Sequence, residues 1–190
     1  MVTGNRIAGG TVLAKLDFFN VEPGKTKEMM ISLRKNPVQA EILGKLNMES
    51  FLKSIKGQKP LNVKPEKGII IAWLDPLTEP SRHFIADLIA KNKEFNKWNG
   101  TILLFFNNEK EKSDFILKNG SALPGFISYQ VTTSEASDLF KKSVKKPLAY
   151  LMPIVAYINI KSEITYLSEG YRIGTGDDLL RFILEDEKSL

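Results

Sequence analysis

Gly68-Ile69-Ile70-Ile71-Ala72-Trp73-Leu74-Asp75-Pro76-Leu77-Thr78-Glu79-Pro80-Ser81-Arg82-His83-Phe84 carries an apolar run into Asp-Pro and then restarts with helical spacing. A half-exposed strand alternates polar with apolar residues, so the unbroken run 68–73 reads as a strand buried on both faces. The restart reads as a helix, and a buried strand that feeds a helix N-terminus is the place where α/β proteins keep their chemistry. The turn between them, Thr78-Glu79-Pro80-Ser81, is therefore the first candidate for a site.

Working outward, the alternation continues. Residues 80–98 predict one helix, with Phe84, Leu88, Phe95 and Trp98 near one face and Ile85 and Ile89 beside them. Asn99-Gly100 ends it, with glycine in the left-handed cap. Residues 101–106 form a second buried strand, and residues 109–119 a helix with Phe115 and Ile116 inward. A third strand follows over 126–131, then a helix over 134–143 capped by Ser134, with Lys141 and Lys142 at its negative end. Upstream, residues 40–46 predict a short strand. Asn47 caps a helix over 48–55 that buries Phe51, Leu52 and Ile55 and stops at Gly57.

The pattern changes near the C-terminus. Residues 153–160 and 163–168 are strands around the short polar turn Lys161-Ser162, which makes an antiparallel hairpin. Gly170-Tyr171-Arg172-Ile173-Gly174 is a loop, and Thr175-Gly176-Asp177-Asp178 has the form of a capping box before a last helix with Leu179, Leu180, Phe182 and Ile183. Alternation followed by a hairpin and a helix gives an α/β three-layer sandwich, a mixed central sheet with helices on both faces. Residues 11–20 and 26–33 flank Pro23-Gly24 and predict a further hairpin. A lone hairpin is marginal in water, so it is expected to lean on the sheet edge or on a second chain, as in a homodimer. The expected division is a segment 1–36, the remnant of a preceding β-sandwich domain, and a domain 37–190.

Composition removes several functions. The 190 residues contain no cysteine and one histidine, His83. Disulfides, thiolate nucleophiles, cysteine-ligated zinc and iron–sulfur clusters have no ligand atoms, and a histidine-rich metal site has none either. No metal and no cofactor is expected. The net charge of +5 comes from lysines spread along the chain. The densest group, Lys141, Lys142, Lys145 and Lys146, has no interleaved aromatics, so it reads as a solvated helix end rather than a nucleic-acid surface. No run is long enough to span a bilayer, and the polar start Met1-Val2-Thr3-Gly4-Asn5-Arg6 is no signal peptide. A cytoplasmic protein and a piece of a longer exported chain both fit that start.

The element order and the local motifs together resemble the thioredoxin-like family. Ile71-Ala72-Trp73 followed by Glu79-Pro80-Ser81-Arg82 is similar to the strand, aromatic residue and Cys-Gly-Pro-Cys-Arg turn of thiol-disulfide oxidoreductases. Aligned on Pro80, Thr78 and Ser81 occupy the two cysteine positions. Met152-Pro153-Ile154-Val155 resembles the segment that carries the family's cis-proline, and Gly170 falls where the family has a glycine after its final strand. The resemblance covers residues 40–183. It implies a cis Met152–Pro153 bond and a groove formed by Trp73, Met152 and Pro153 in which an extended peptide could pair.

A narrower likeness lies at the ends. Thr3-Gly4-Asn5-Arg6, Val12-Leu13-Ala14-Lys15-Leu16-Asp17-Phe18-Phe19 and Tyr166-Leu167-Ser168-Glu169-Gly170-Tyr171-Arg172-Ile173-Gly174 resemble segments of large exported transglutaminase-like proteins of anaerobic Gram-negative bacteria. Those proteins close with a thioredoxin-like module, which implies a periplasmic, cell-envelope or extracellular placement and an accessory role.

Thiol–disulfide exchange needs a thiolate, and hydroxyls cannot supply it. The leading expectation is thus a redox-inactive module without catalytic residues, structural or binding a peptide or a neighbouring protein domain. In the structural version, Thr78 caps the helix and Pro80 sits in its first turn. The alternative is an enzyme with non-thiol chemistry around Asp75, Ser81 and His83. Against it, Ser81 and His83 are two apart on a helix and point apart, and no Gly-x-Ser-x-Gly elbow is present. A weaker reading makes Arg172 an anion partner, but Asp177 and Asp178 would repel the anion.

Overall fold

The computed structural model describes residues 41–55 and 63–188, and all but Glu41 belong to the unit Ile42–Leu190. The hairpin expected over 11–33, its partner edge or second chain, the boundary at residue 36 and the helix stop at Gly57 lie outside the described residues.

The strands are β1 (Gly44–Lys45), β2 (Ile69–Trp73), β3 (Thr101–Phe106), β4 (Ile127–Val131), β5 (Ile154–Ile158) and β6 (Glu163–Glu169). They form one mixed sheet in the order β1-β6-β5-β2-β3-β4. β2, β3 and β4 run parallel, and β5 turns back antiparallel to both β2 and β6. The expected strand over 40–46 contracts to the two residues of β1, which pair with Ile164 and Glu163.

The central strands are apolar throughout because both faces are covered. Ile70, Ala72, Ile102, Leu104, Phe106, Val155 and Tyr157 face α2 (Glu79–Ala90), α3 (Asn92–Trp98), α4 (Glu109–Asn119) and α6 (Thr175–Lys188). Ile69, Ile71, Trp73, Leu103, Phe105, Ile154 and Ala156 face α1 (Met48–Ser54) and α5 (Ser134–Ser143). This period of two along each strand divides a single apolar run between two cores.

Five local expectations are corrected. The helix over 80–98 is two helices, because Lys91 leaves helical geometry (φ −103°, ψ 22°) while its ammonium reaches Asp177 of α6 at 2.6 Å. The left-handed residue that closes α3 is Asn99 (φ 55°); Gly100 is needed because a Cβ there would enter the Trp98 ring. Ile116 is exposed: α4 docks through Phe115, 4.9 Å from Phe106 and 6.1 Å from Tyr129, and the next residue is turned roughly 100° away. Thr133, not Ser134, caps α5 by accepting the Ala136 N–H at 3.0 Å. Thr175 makes no capping box. Its hydroxyl turns back to donate to the Arg172 carbonyl at 2.7 Å, and the Asp178 N–H bonds Gly174 instead. The Asn47 cap, by contrast, accepts from Ser50 N–H at 3.0 Å as read from sequence.

Candidate functional site

Register gathers several loops at one end of the sheet. Trp73 pairs with Phe105 and with Ile154, Phe106 pairs with Val131, and Ile154 pairs with Glu169. The segments that leave β2, β3, β4 and β6 and the segment that enters β5 therefore meet at the carboxyl ends of the parallel strands. That is the end where sheets of this kind bind ligands.

The turn after β2 is a compact set of local hydrogen bonds. Asp75 starts it: its Oδ1 accepts the Leu77 N–H at 3.1 Å and its carbonyl accepts the Thr78 N–H at 3.0 Å. Asx and β-turn bonds of this kind are what Asp-Pro favours. The Thr78 hydroxyl donates to the Asp75 carbonyl at 2.8 Å and lies 3.1 Å from Ser81 Oγ, which accepts the Asp75 N–H at 3.2 Å. Thr78 stands at the N-cap position of α2 but makes no side-chain cap, and Pro80 falls in the first turn. The capping role expected of Thr78 is thus corrected: its hydroxyl faces back into the turn. Ser81 is wholly buried. The two hydroxyls fasten the turn to the strand end, and neither touches a carboxylate or an imidazole.

The hydrolase arrangement does not form. His83 Nε2 lies 3.3 Å from Glu79 Oε1, and its ring stacks on Tyr171 at 5.2 Å with 24° between planes. Ser81 meets Asp75 only through the latter's backbone N–H. Among the described residues, no cluster of His, Asp and Glu could hold a metal ion, and no helix is long and apolar enough to cross a membrane.

Opposite the turn, the Met152–Pro153 bond is cis and Pro153 is buried. Just before it, Tyr150 takes a left-handed φ of 60° and donates its N–H to Glu169 Oε2 at 2.7 Å. The Leu151 carbonyl accepts from Gly170 N–H at 2.8 Å, which ties the segment to the loop after β6. Trp73 adds no open groove. It is 6% exposed, stacked on Phe105 at 5.0 Å and close to Phe140 at 4.6 Å, because its side chain points into the core under α1 and α5. Lys141, Lys142, Lys145 and Lys146 are exposed, Lys141 lying 4.9 Å over the Tyr150 ring. Arg172 is exposed and its carbonyl is taken by Thr175.

The sequence did not direct attention to the apolar side chains that these loops expose. Leu77 is 81% exposed, Tyr150 51%, Leu151 61% and Ile173 96%. Leu77 follows Pro76 and Ile173 precedes Gly174, contexts where an apolar residue is out of place and which could have flagged them, whereas Tyr150 and Leu151 lie in the apolar stretch 148–152 and carry no such mark.

The fold is similar to that of a thiol:disulfide interchange protein of the thioredoxin family from Chlorobium tepidum TLS, with a TM-score of 0.52, 17% identity and coverage of 64% of this chain and 81% of that one. A putative protein disulfide isomerase from Bacteroides thetaiotaomicron matches with a TM-score of 0.48, 14% identity and coverage of 65% and 75%. A secreted thiol-disulfide isomerase from Corynebacterium glutamicum matches with a TM-score of 0.47, 17% identity and coverage of 63% and 70%. No family model matches the sequence, and no curated protein matches it. The fold is thioredoxin-like, and the chain that adopts it has no cysteine.

Proposed function

We propose that this chain is a redox-inactive thioredoxin-like module that binds an extended peptide or a neighbouring protein segment at the carboxyl end of its parallel strands, as an accessory part of a larger exported protein. The observation that carries the reading is the set Leu77, Tyr150, Leu151 and Ile173: large apolar side chains exposed in the loops at one end of the sheet. Exposed apolar groups that converge on one region mark interaction sites. The left-handed backbone at Tyr150 supports it, since a strained residue persists where its neighbours hold it, here Glu169 and the Gly170 link. The hydroxyls of Thr78 and Ser81 keep the turn's shape without chemistry. Exported, cell-envelope placement and the accessory role rest on the likeness to transglutaminase-like proteins alone.

An array of extended peptides probed with the wild-type chain and with a Leu77→Asp/Leu151→Asp variant tests the site. Wild type should bind peptides with large apolar residues, and the variant should bind them at least about tenfold more weakly. No binding, or binding the variant retains in full, would overturn the reading. Insulin reduction should proceed no faster than in buffer. For the accessory role, an immunoblot of fractionated source cells should show a band well above 21.4 kDa in the envelope or medium. A cytosolic band at that mass would remove this part of the proposal.

A further inference from the structure

A cleft of about 630 Å³ lies along the flank of α2, between it and α4. That volume is in the range of small-molecule sites. Its floor is apolar: Ile85 and Phe115 are buried at 5% and 3% exposure, and Ile89 is partly buried. Ala86 forms part of the wall, and Leu77 stands at the mouth.

The charges around it are uneven. α2 and α4 follow the parallel strands β2 and β3, so the two helices run in the same direction with their N-termini at one end of the cleft. Arg82 and Lys110, in the first turns, are at that end, while Lys118 is in the last turn of α4. None of the three makes an ion pair or side-chain hydrogen bond among the described residues. The lining acids differ. Glu111 receives bonds from Asn107 N–H, Asn107 Nδ2 and Asn108 Nδ2 at 2.8 to 3.3 Å, which occupy its carboxylate. Asp114, between Lys110 and Lys118 along α4, is the remaining one.

We propose that this cleft binds a small amphiphile, one aliphatic chain with a single anionic head. The chain would lie over Ile85, Ile89 and Phe115, and the head between Arg82 and Lys110. An apolar floor needs an apolar body, and two unpaired cations at one end favour a negative terminus. The site is separate from the loop surface proposed above, sharing only Leu77 at its mouth, and does not depend on it.

Calorimetric titration below micellar concentrations tests the idea with dodecanoate, dodecyl phosphate, dodecanol and dodecyltrimethylammonium. One molecule of dodecanoate or dodecyl phosphate should bind per chain, and dodecanol and the cation should each bind at least about tenfold more weakly. Ala86→Trp fills the cleft from an exposed position and should abolish binding; circular dichroism checks that this variant folds. Arg82→Glu/Lys110→Glu, both on the surface, should reverse the preference towards the cation and decides the matter if Ala86→Trp does not fold. Leu151→Asp should leave the titration unchanged, so loss of peptide binding and loss of amphiphile binding are read apart. No binding of either anion, equal binding of dodecanol, or full binding by Ala86→Trp would overturn the proposal.

Discussion

Trp98, in the layer of α2, α3, α4 and α6, donates its indole N–H to the Lys67 carbonyl at 2.9 Å, whereas Trp73, on the opposite face of the sheet, is buried with its N–H unpaired. The contrast extends beyond the two indoles. On the Trp98 side the Tyr157 hydroxyl bonds Asp186 at 2.8 Å, the Gly176 N–H bonds Asp87 at 3.0 Å, and Lys91 holds Asp177 at 2.6 Å. On the Trp73 side, Phe51, Phe105 and Phe140 surround the indole, and Gln130 Oε1 is likewise buried without a partner. The Trp98 face carries several directional bonds between elements far apart in sequence, beside a buried unpaired Arg181 Nε, whereas the Trp73 face carries the bond from the Thr133 hydroxyl to the Ser54 carbonyl at 3.3 Å and holds its indole by aromatic packing alone. The turn of Thr78 and Ser81 and the α2–α4 cleft both belong to the bonded face. Directional bonds fix helix position more sharply than packing alone.

Trp98→Phe should have the largest effect. It removes buried volume and leaves the Lys67 carbonyl without its donor, a loss of about 2–3 kcal/mol in urea unfolding. Tyr157→Phe should cost about 1 kcal/mol near neutral pH. Its sharper signature is alkaline. Burial first, and then the bond to Asp186, raise the Tyr157 pKa well above its ordinary value. Above pH of about 10 the unfolded chain releases this proton while the folded chain keeps it, so stability falls as pH rises. Tyr129 and Tyr166, whose pKa values burial also raises, act in the same direction. Urea midpoints on either side of that pH should therefore drop for wild type and drop less for Tyr157→Phe; equal drops would deny Tyr157 its part. Trp73→Phe should have the smallest effect, within about 1 kcal/mol of zero, because removing the unpaired N–H offsets the lost area. If Trp73→Phe costs as much as Trp98→Phe, the contrast between the faces is broken.

Much of this architecture can be read from the chain because apolar runs and helical spacing are local. Residues 69–73 and 101–106 could hardly be anything other than buried strands, and the spacing of Phe84, Leu88, Phe95 and Trp98 fixes which side of the helices meets the core. Several of the misreadings turn on side-chain partners that the local pattern does not name. The break falls at Lys91, whose ammonium meets Asp177, 86 residues away, and the Thr175 hydroxyl donates to the Arg172 carbonyl and makes no cap. A capping motif offers a hydroxyl two comparable partners, and only the path of the surrounding loop decides between them. The same holds for Thr78. That the turn has no thiol chemistry is legible in composition; that its hydroxyls face each other is not. The cleft leaves no local mark, since its walls come from helices on either side of β3.

The hydroxyl pair also makes the wild-type chain an unusual reference state. Thr78 Oγ1 and Ser81 Oγ lie 3.1 Å apart in a chain with no sulfhydryl. Replacing both with cysteine would place two sulfurs in that turn with nothing else in the molecule to scramble them. The wild-type chain and that variant would differ by one atom type at Ser81 and little more at Thr78, so any thiol exchange by the variant would be read against a reference that has no thiol to perform it.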